Sequence, residues 1–166
     1  MKTRLDSMKS LYVEQLADLL NAERQLVRAI PKAAKAAGSE ELRDALTTHL
    51  DETLIHADRI TRIFDELGEK PPAHECAAMK GLIEEAEEII AAQGDPSVKD
   101  AAIIAAAQRM EHYEIAGYGC ARTFARLIGR EADADLLQTT LDEEYAADDA
   151  LTRLAQESIN RLAAQV

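Results

Sequence analysis

Leu46-Thr47-Thr48-His49-Leu50-Asp51-Glu52 and Leu137-Gln138-Thr139-Thr140-Leu141-Asp142-Glu143 are two versions of one segment, set 91 residues apart. The same shift carries Glu23 onto Glu114, Gly38 onto Gly129, Glu40 onto Glu131 and Asp44 onto Asp135. Beyond the segment it carries Asp58 onto Asp149, Thr61 onto Thr152 and Arg62 onto Arg153, with no gap. An ungapped internal repeat of this length predicts two similar halves related by an approximate two-fold axis.

Glycine and proline divide each half. Gly38-Ser39, Gly68 to Pro72, Gly94-Asp95-Pro96 and Gly129-Arg130 separate stretches with helical periodicity. The pattern predicts helices over about 11–37, 40–67, 98–128 and 131–162, with a local adjustment at Pro31 and N-caps at Ser39 and at Ser97, the latter with Asp100 three residues on. The short breaks at Gly38 and Gly129 make two helical hairpins. A long crossover joins them, and Met79, Leu82, Ile83, Ala86 and Ile89 give it a short amphipathic helix of its own, about 76–92. The expected fold is all-α: a four-helix bundle in one domain, residues 1–166.

Composition agrees and narrows the function. Hydrophobic residues make up 47%, aromatics only 4%, and tryptophan is absent, so small aliphatic side chains fill the core. A net charge of −12 repels phosphate backbones and anionic lipid, which argues against nucleic acid or membrane as partner. Met1 to Ser10 has no apolar run behind it, and no transmembrane stretch follows, so a cytoplasmic protein is expected. Cys76 and Cys120 have neither disulfide nor zinc spacing and are expected to be buried small residues.

The helical stripes carry residues that do not belong in an apolar core. Glu23 continues the stripe Leu16, Leu20, Val27, Ile30, and Glu114 lies on Ile103, Ala107, Ala121, Ile128. Between Leu46 and Ile60 one face presents His49, Glu52 and His56; between Leu137 and Leu151 stand Glu143, Glu144 and Asp148. A carboxylate in a bundle core is costly unless a cation compensates it, and the stripes hold no matching inward lysine or arginine. Two divalent metals would neutralise four carboxylates, and carboxylate with imidazole suits iron or manganese. Blander readings stand beside this one. Asp142 to Asp149 reads as a solvated acidic face, His56 as a residue at the wet edge of the seam, and Tyr113 and Tyr118 as packing residues. His112 reads as exposed, and His74 carries no signal.

Ala22-Glu23-Arg24-Gln25, His49-Leu50-Asp51-Glu52-Thr53, Glu111-His112-Tyr113-Glu114-Ile115-Ala116 and Leu141-Asp142-Glu143-Glu144 resemble the YciE/YciF family of bacterial ferritin-like proteins. The resemblance extends through Met79-Lys80-Gly81-Leu82-Ile83-Glu84-Glu85 and covers nearly the whole chain. It implies a ferritin-like bundle related to rubrerythrins, commonly a homodimer, cytosolic and linked to stress responses. It also implies Glu23, Glu52, Glu114 and Glu143 as metal ligands, with Glu52 and Glu143 bridging two iron or manganese ions, and Glu111 as a second carboxylate from the third helix. The chain departs from the usual Glu-x-x-His, because Ile55 and Ala146 stand three residues after Glu52 and Glu143. His49 or His56 could serve in the first half, and Glu144 or Asp148 in the second. Two functions follow: a di-metal protein with ferroxidase- or peroxidase-type activity, or a non-catalytic dimeric stress protein that binds partners around a vestigial site. No rubredoxin-like cysteine pairs are present, so turnover would need an external reductant.

Overall fold

The computed structural model describes residues 5–166; the first four residues of the polar N-terminal stretch lie outside the described residues. Among the described residues six α-helices follow one another: α1 (Met8–Ala36), α2 (Glu40–Leu67), α3 (Ala77–Ala91), α4 (Pro96–Leu127), α5 (Glu131–Leu154) and α6 (Asn160–Ala163). Among the described residues there is no strand. Hairpins α1–α2 and α4–α5 pack side by side through α1 against α4 and α2 against α5, and α3 lies across α1 and α4.

The helix ends follow local chemistry. α1 starts a turn before the sequence reading, because Ser7 and Ser10 cap each other's backbone N–H groups at 3.0 Å. It then runs on through Pro31. Ser39 caps α2 as expected, accepting from the Leu42 N–H. Gly68 and Gly129 take the left-handed φ values of 66° and 76° that close α2 and α4, where a Cβ would clash with its own backbone. At α4 the cap is Asp95 and not Ser97; Asp95 accepts from the Ser97 N–H at 2.8 Å, with Pro96 in the first turn. Asp100, read as part of that cap, reaches across to the other hairpin. Its carboxylate accepts from the Gly38 and Ser39 N–H groups at 2.8 and 2.7 Å, so the α1–α2 turn is tied to α4. The last helix is not continuous to 162: a wider π-helical turn, Ala155–Ile159, separates α5 from α6.

The apolar core has two parts. One gathers Leu26, Ile30, Leu42, Leu46, Ile103 and Leu151, among others, at the α1–α2 turn. The other gathers Leu16, Leu20, Ile60, Phe64, Tyr118 and Leu137 at the opposite end. On each of the four long helices the buried residues between these parts are polar: Glu23 on α1, His49, Thr53 and His56 on α2, Glu111 and Glu114 on α4, and Glu144 on α5. The bundle is therefore an apolar cylinder with a charged waist. Cys76 is buried as expected, caps α3, and donates its thiol to Asp18 at 3.3 Å. Cys120 is exposed, contrary to expectation, since its position on α4 faces away from the core. His74 also has a partner: its Nε2 lies 2.8 Å from Asp18 Oδ1, pinning the crossover to α1.

Candidate metal centre

Four carboxylates and two imidazoles meet at the waist. Glu23, Glu114, Glu144 and His56 are fully buried, Glu111 is 3% exposed and His49 8%. One ligand atom from each of His49, Glu111, Glu114 and Glu144 lies within 4.8 Å of the others, and so do single atoms of Glu23, His56 and Glu144. The two groups share Glu144. This buried His/Glu cluster could hold a metal ion.

Each histidine turns one nitrogen inward and the other toward a carboxylate nearer the surface. His49 Nε2 lies 3.2 Å from Glu111 Oε1 and 3.9 Å from Glu144 Oε2, while its Nδ1 is 3.5 Å from Glu52. His56 Nδ1 lies 2.9 Å from Glu144 Oε1 and 3.7 Å from Glu23 Oε1. Its Nε2 is 2.9 Å from Glu143 Oε2, and Arg59 grips that same carboxylate with both terminal nitrogens. Tyr118 donates its hydroxyl to Glu23. An outer carboxylate that orients an imidazole is the arrangement that fixes tautomer and ring plane in histidine metal sites.

Despite this crowding, many buried atoms make no hydrogen bond of good geometry: both oxygens of Glu114 and of Glu144, Oε2 of Glu23 and of Glu111, and Nδ1 of both histidines, although that of His56 stands 2.9 Å from Glu144. Folded proteins seldom leave buried polar atoms unpaired. Without a cation Glu23, Glu111 and Glu114 hold protons. Burial, then the charge of Glu144, pushes Glu23 up to about 8, and burial likewise raises Glu111 and Glu114 well above the usual carboxylate range. Burial opposes the charge on His56, but Glu144, Glu23 and Glu143 outweigh it and push the imidazole up to about 9. His49 is raised in the same way, with Glu111 prevailing over burial. Four carboxylates match the charge of two divalent ions, and imidazole beside carboxylate fits iron or manganese chemically.

The residues singled out in the sequence divide into an inner and an outer set. Glu23, His49, Glu111 and Glu114 converge at the waist, as does His56, which sits at its centre and not at a wet edge. Glu144 is fully buried and no part of a solvated face. Glu52 and Glu143, expected to bridge, stand outside both groups, their side chains 38% and 32% exposed and turned to the outward nitrogens of His49 and His56. Asp148 is turned to Gln108 and His112. His112 is exposed, as read.

Helical phase distinguishes the two sets. Leu42, Leu46, His49, Thr53, His56, Ile60 and Ile63 advance by alternating steps of four and three, and every one is buried. Leu137, Leu141, Glu144 and Leu151 follow the same phase on α5. The inward positions are thus 53 and 144, one residue past Glu52 and Glu143. In this register Thr53-x-x-His56 faces Glu144-x-x-Ala147, so each half keeps one member of the Glu-x-x-His pair.

Comparison with known proteins places the chain. YciF of Escherichia coli (strain K12) is 42% identical over 160 residues, 96% of this chain and 96% of that protein. The crystal structure of the E. coli stress protein YciF superposes with a TM-score of 0.91 at 43% identity, over 94% of this chain and 99% of that one. YcfI of Rhodopseudomonas palustris, described as a suspected structural protein, matches with a TM-score of 0.87 at 39% identity, covering 92% and 97% of the two chains. A Xanthomonas campestris protein at 18% identity shares the fold, with a TM-score of 0.78 over 96% and 98%. The domain of unknown function DUF892 matches residues 7–164, and the chain belongs to this family, that of YciF.

Proposed function

We propose that the waist holds two divalent metal ions, iron or manganese, and that the protein is a di-metal stress-response protein with ferroxidase- or peroxidase-type activity. The observation that carries this reading is the set of six buried ionisable side chains that form two groups sharing Glu144, each with ligand atoms within 4.8 Å of one another, and eight of whose buried polar atoms have no hydrogen bond. Glu144, common to both groups, would serve both ions; His49, Glu111 and Glu114 would hold one with it, and Glu23 and His56 the other. When bound, the metals supply the electrons for reduction of dioxygen or peroxide. The protein's own part is to fix both imidazoles through Glu52 and the Arg59–Glu143 pair, and to keep Tyr118 bonded to Glu23.

Anaerobic titration with Fe(II) or Mn(II) tests this directly. About two ions per chain are expected, with loss in the Glu23→Ala/Glu114→Ala double variant. Absence of tight binding by the wild type sinks the reading.

A second reading is a non-catalytic dimeric bundle around a vestigial site. Thr53 and Ala147, which leave the Glu-x-x-His pattern half-complete in each half, favour it, as does the description of the Rhodopseudomonas relative. Leu54 and Ile55, adjacent on α2 and each 50% exposed, offer an apolar patch for a second copy. Mass in solution and metal stoichiometry separate the two readings. The charge of −12 argues against nucleic acid, and no helix among the described residues is long and apolar enough to cross a membrane.

A further inference from the structure

His49 and Glu111 face two openings of opposite character. Between α2 and α5 a cleft of about 210 Å³ has Glu52 and Thr48 on its walls and the small side chains of Ala146, Ala147 and Ala150 opposite. Beneath α3 lies a smaller, partly open cavity of about 50 Å³, lined by Leu26 and Ile30 of α1, Ile83 of α3, and Ile103, Ala107 and Met110 of α4. Its inner end is His49 and Glu111; Glu87 of α3 also lines it but is half-exposed and paired with Lys32 at 2.6 Å, and the remaining wall is aliphatic.

That wall decides what can occupy the cavity. A buried water needs roughly two to four polar partners, and apart from Glu87, which is engaged by Lys32, these exist only at the inner end. A hydrated cation would lose its shell with nothing to replace it. Apolar cavities stay dry and take up apolar solutes such as xenon. The volume admits a molecule of a few heavy atoms, not a ring or an acyl chain.

We propose that the cavity beneath α3 is a binding site for a small uncharged apolar molecule of dioxygen's size. It leads that molecule to the His49–Glu111 side of the waist, while cations and other polar species reach the same residues through the α2–α5 cleft. The role as a route rests on the di-metal reading; the binding site itself does not.

Crystals of the wild-type protein under xenon pressure test the site without any variant. One xenon is expected between Leu26, Ile103 and His49. An ordered water in that position, or no xenon, overturns the proposal. Ala33→Leu on α1 and Ala107→Leu on α4 fill the cavity from different helices, so misfolding of one leaves the other. Either is expected to lose the xenon while keeping the Fe(II) or Mn(II) stoichiometry of the wild type. Iron-loaded variants are expected to consume dioxygen more slowly and peroxide at an unchanged rate; an unchanged dioxygen rate with the xenon gone overturns the route. Xenon bound in a protein that takes up no metal would retain the site and sink the di-metal reading instead.

Discussion

Replacing Glu114 by leucine should make the metal-free protein more stable. Glu114 is fully buried, and neither carboxyl oxygen has a hydrogen-bond partner. Its carboxyl keeps its proton because burial, Glu144, Glu23 and Glu111 all oppose ionisation. An unpaired buried polar group costs about 1–3 kcal/mol, and Glu114 contributes two such atoms. Leucine has similar volume and helix propensity, so the exchange removes that cost and adds apolar contact with little cavity or strain. Taking the low end for each oxygen gives about 2 kcal/mol, and for a chain of this length about 2–4 °C per kcal/mol, so the melting temperature should rise by about 4–8 °C. The measurement is thermal unfolding by far-ultraviolet circular dichroism in the presence of a chelator. The same variant should respond weakly to Fe(II) or Mn(II), whereas the wild type should gain about 2.7 kcal/mol at a hundredfold excess over the dissociation constant. Opposite signs with and without metal mark a residue kept at a cost in stability for the sake of a ligand. A metal-free Glu114→Leu protein that melts several degrees below wild type would refute the reasoning, because Glu114 would then be holding the fold.

The other expectations concern register, pH and the hairpin tie. Glu143→Ala should leave two metals per chain and weaken binding by about 10–100-fold, as loss of an orienting carboxylate does; Glu144→Ala should lower the stoichiometry itself, and equal effects in calorimetric titration would contradict the inner and outer assignment. Glu23 and His56 bind protons more tightly folded than unfolded, since their values move from 4.5 to about 8 and from 6.5 to about 9. Their contributions to stability are complete below 4.5 and 6.5 and are lost as pH rises through those folded values, so the metal-free melting temperature should fall from about pH 6 to about pH 9, and metal should offset the fall. A metal-free protein that gains stability over that interval would contradict the buried, proton-holding cluster. Asp100→Ala strips the Gly38 and Ser39 N–H groups of their acceptor and should cost about 2–4 kcal/mol in chemical denaturation, with metal stoichiometry unchanged.

Helix positions and the hairpin pairing were legible because glycine, proline and capping residues act locally. Ser39, Gly68 and Gly129 mark their breaks by conformational chemistry that needs no tertiary context. Asp100 was not legible in this way: the cap it resembled and the turn it serves are indistinguishable until the second hairpin docks against the first. Cys120 was missed because a small side chain on a long helix carries no sign of which face it occupies. The π-helical turn at Ala155–Ile159 has no local signature either, since every residue in it tolerates a regular helix.

The waist shows which of two sequence signals to follow when they conflict. The repeat aligns Glu52 with Glu143, and a matched pair of carboxylates on related helices invites the reading that both face inward. The apolar phase points elsewhere, because Leu46 and Ile60 place His49, Thr53 and His56 beneath them on the same stripe, and Leu141 and Leu151 do the same for Glu144. Similarity at related positions fixes only that two residues have equivalent environments, and Glu52 and Glu143 do: each stands at the rim beside a histidine's outward nitrogen. Which environment that is depends on the turn of the helix. One residue is a rotation of about 100°, enough to move a carboxylate from the seam to the rim. A polar residue held in phase by leucine and isoleucine on both sides is inward whatever its chemistry, and it is there that an unpaired carboxylate must find a cation or keep its proton.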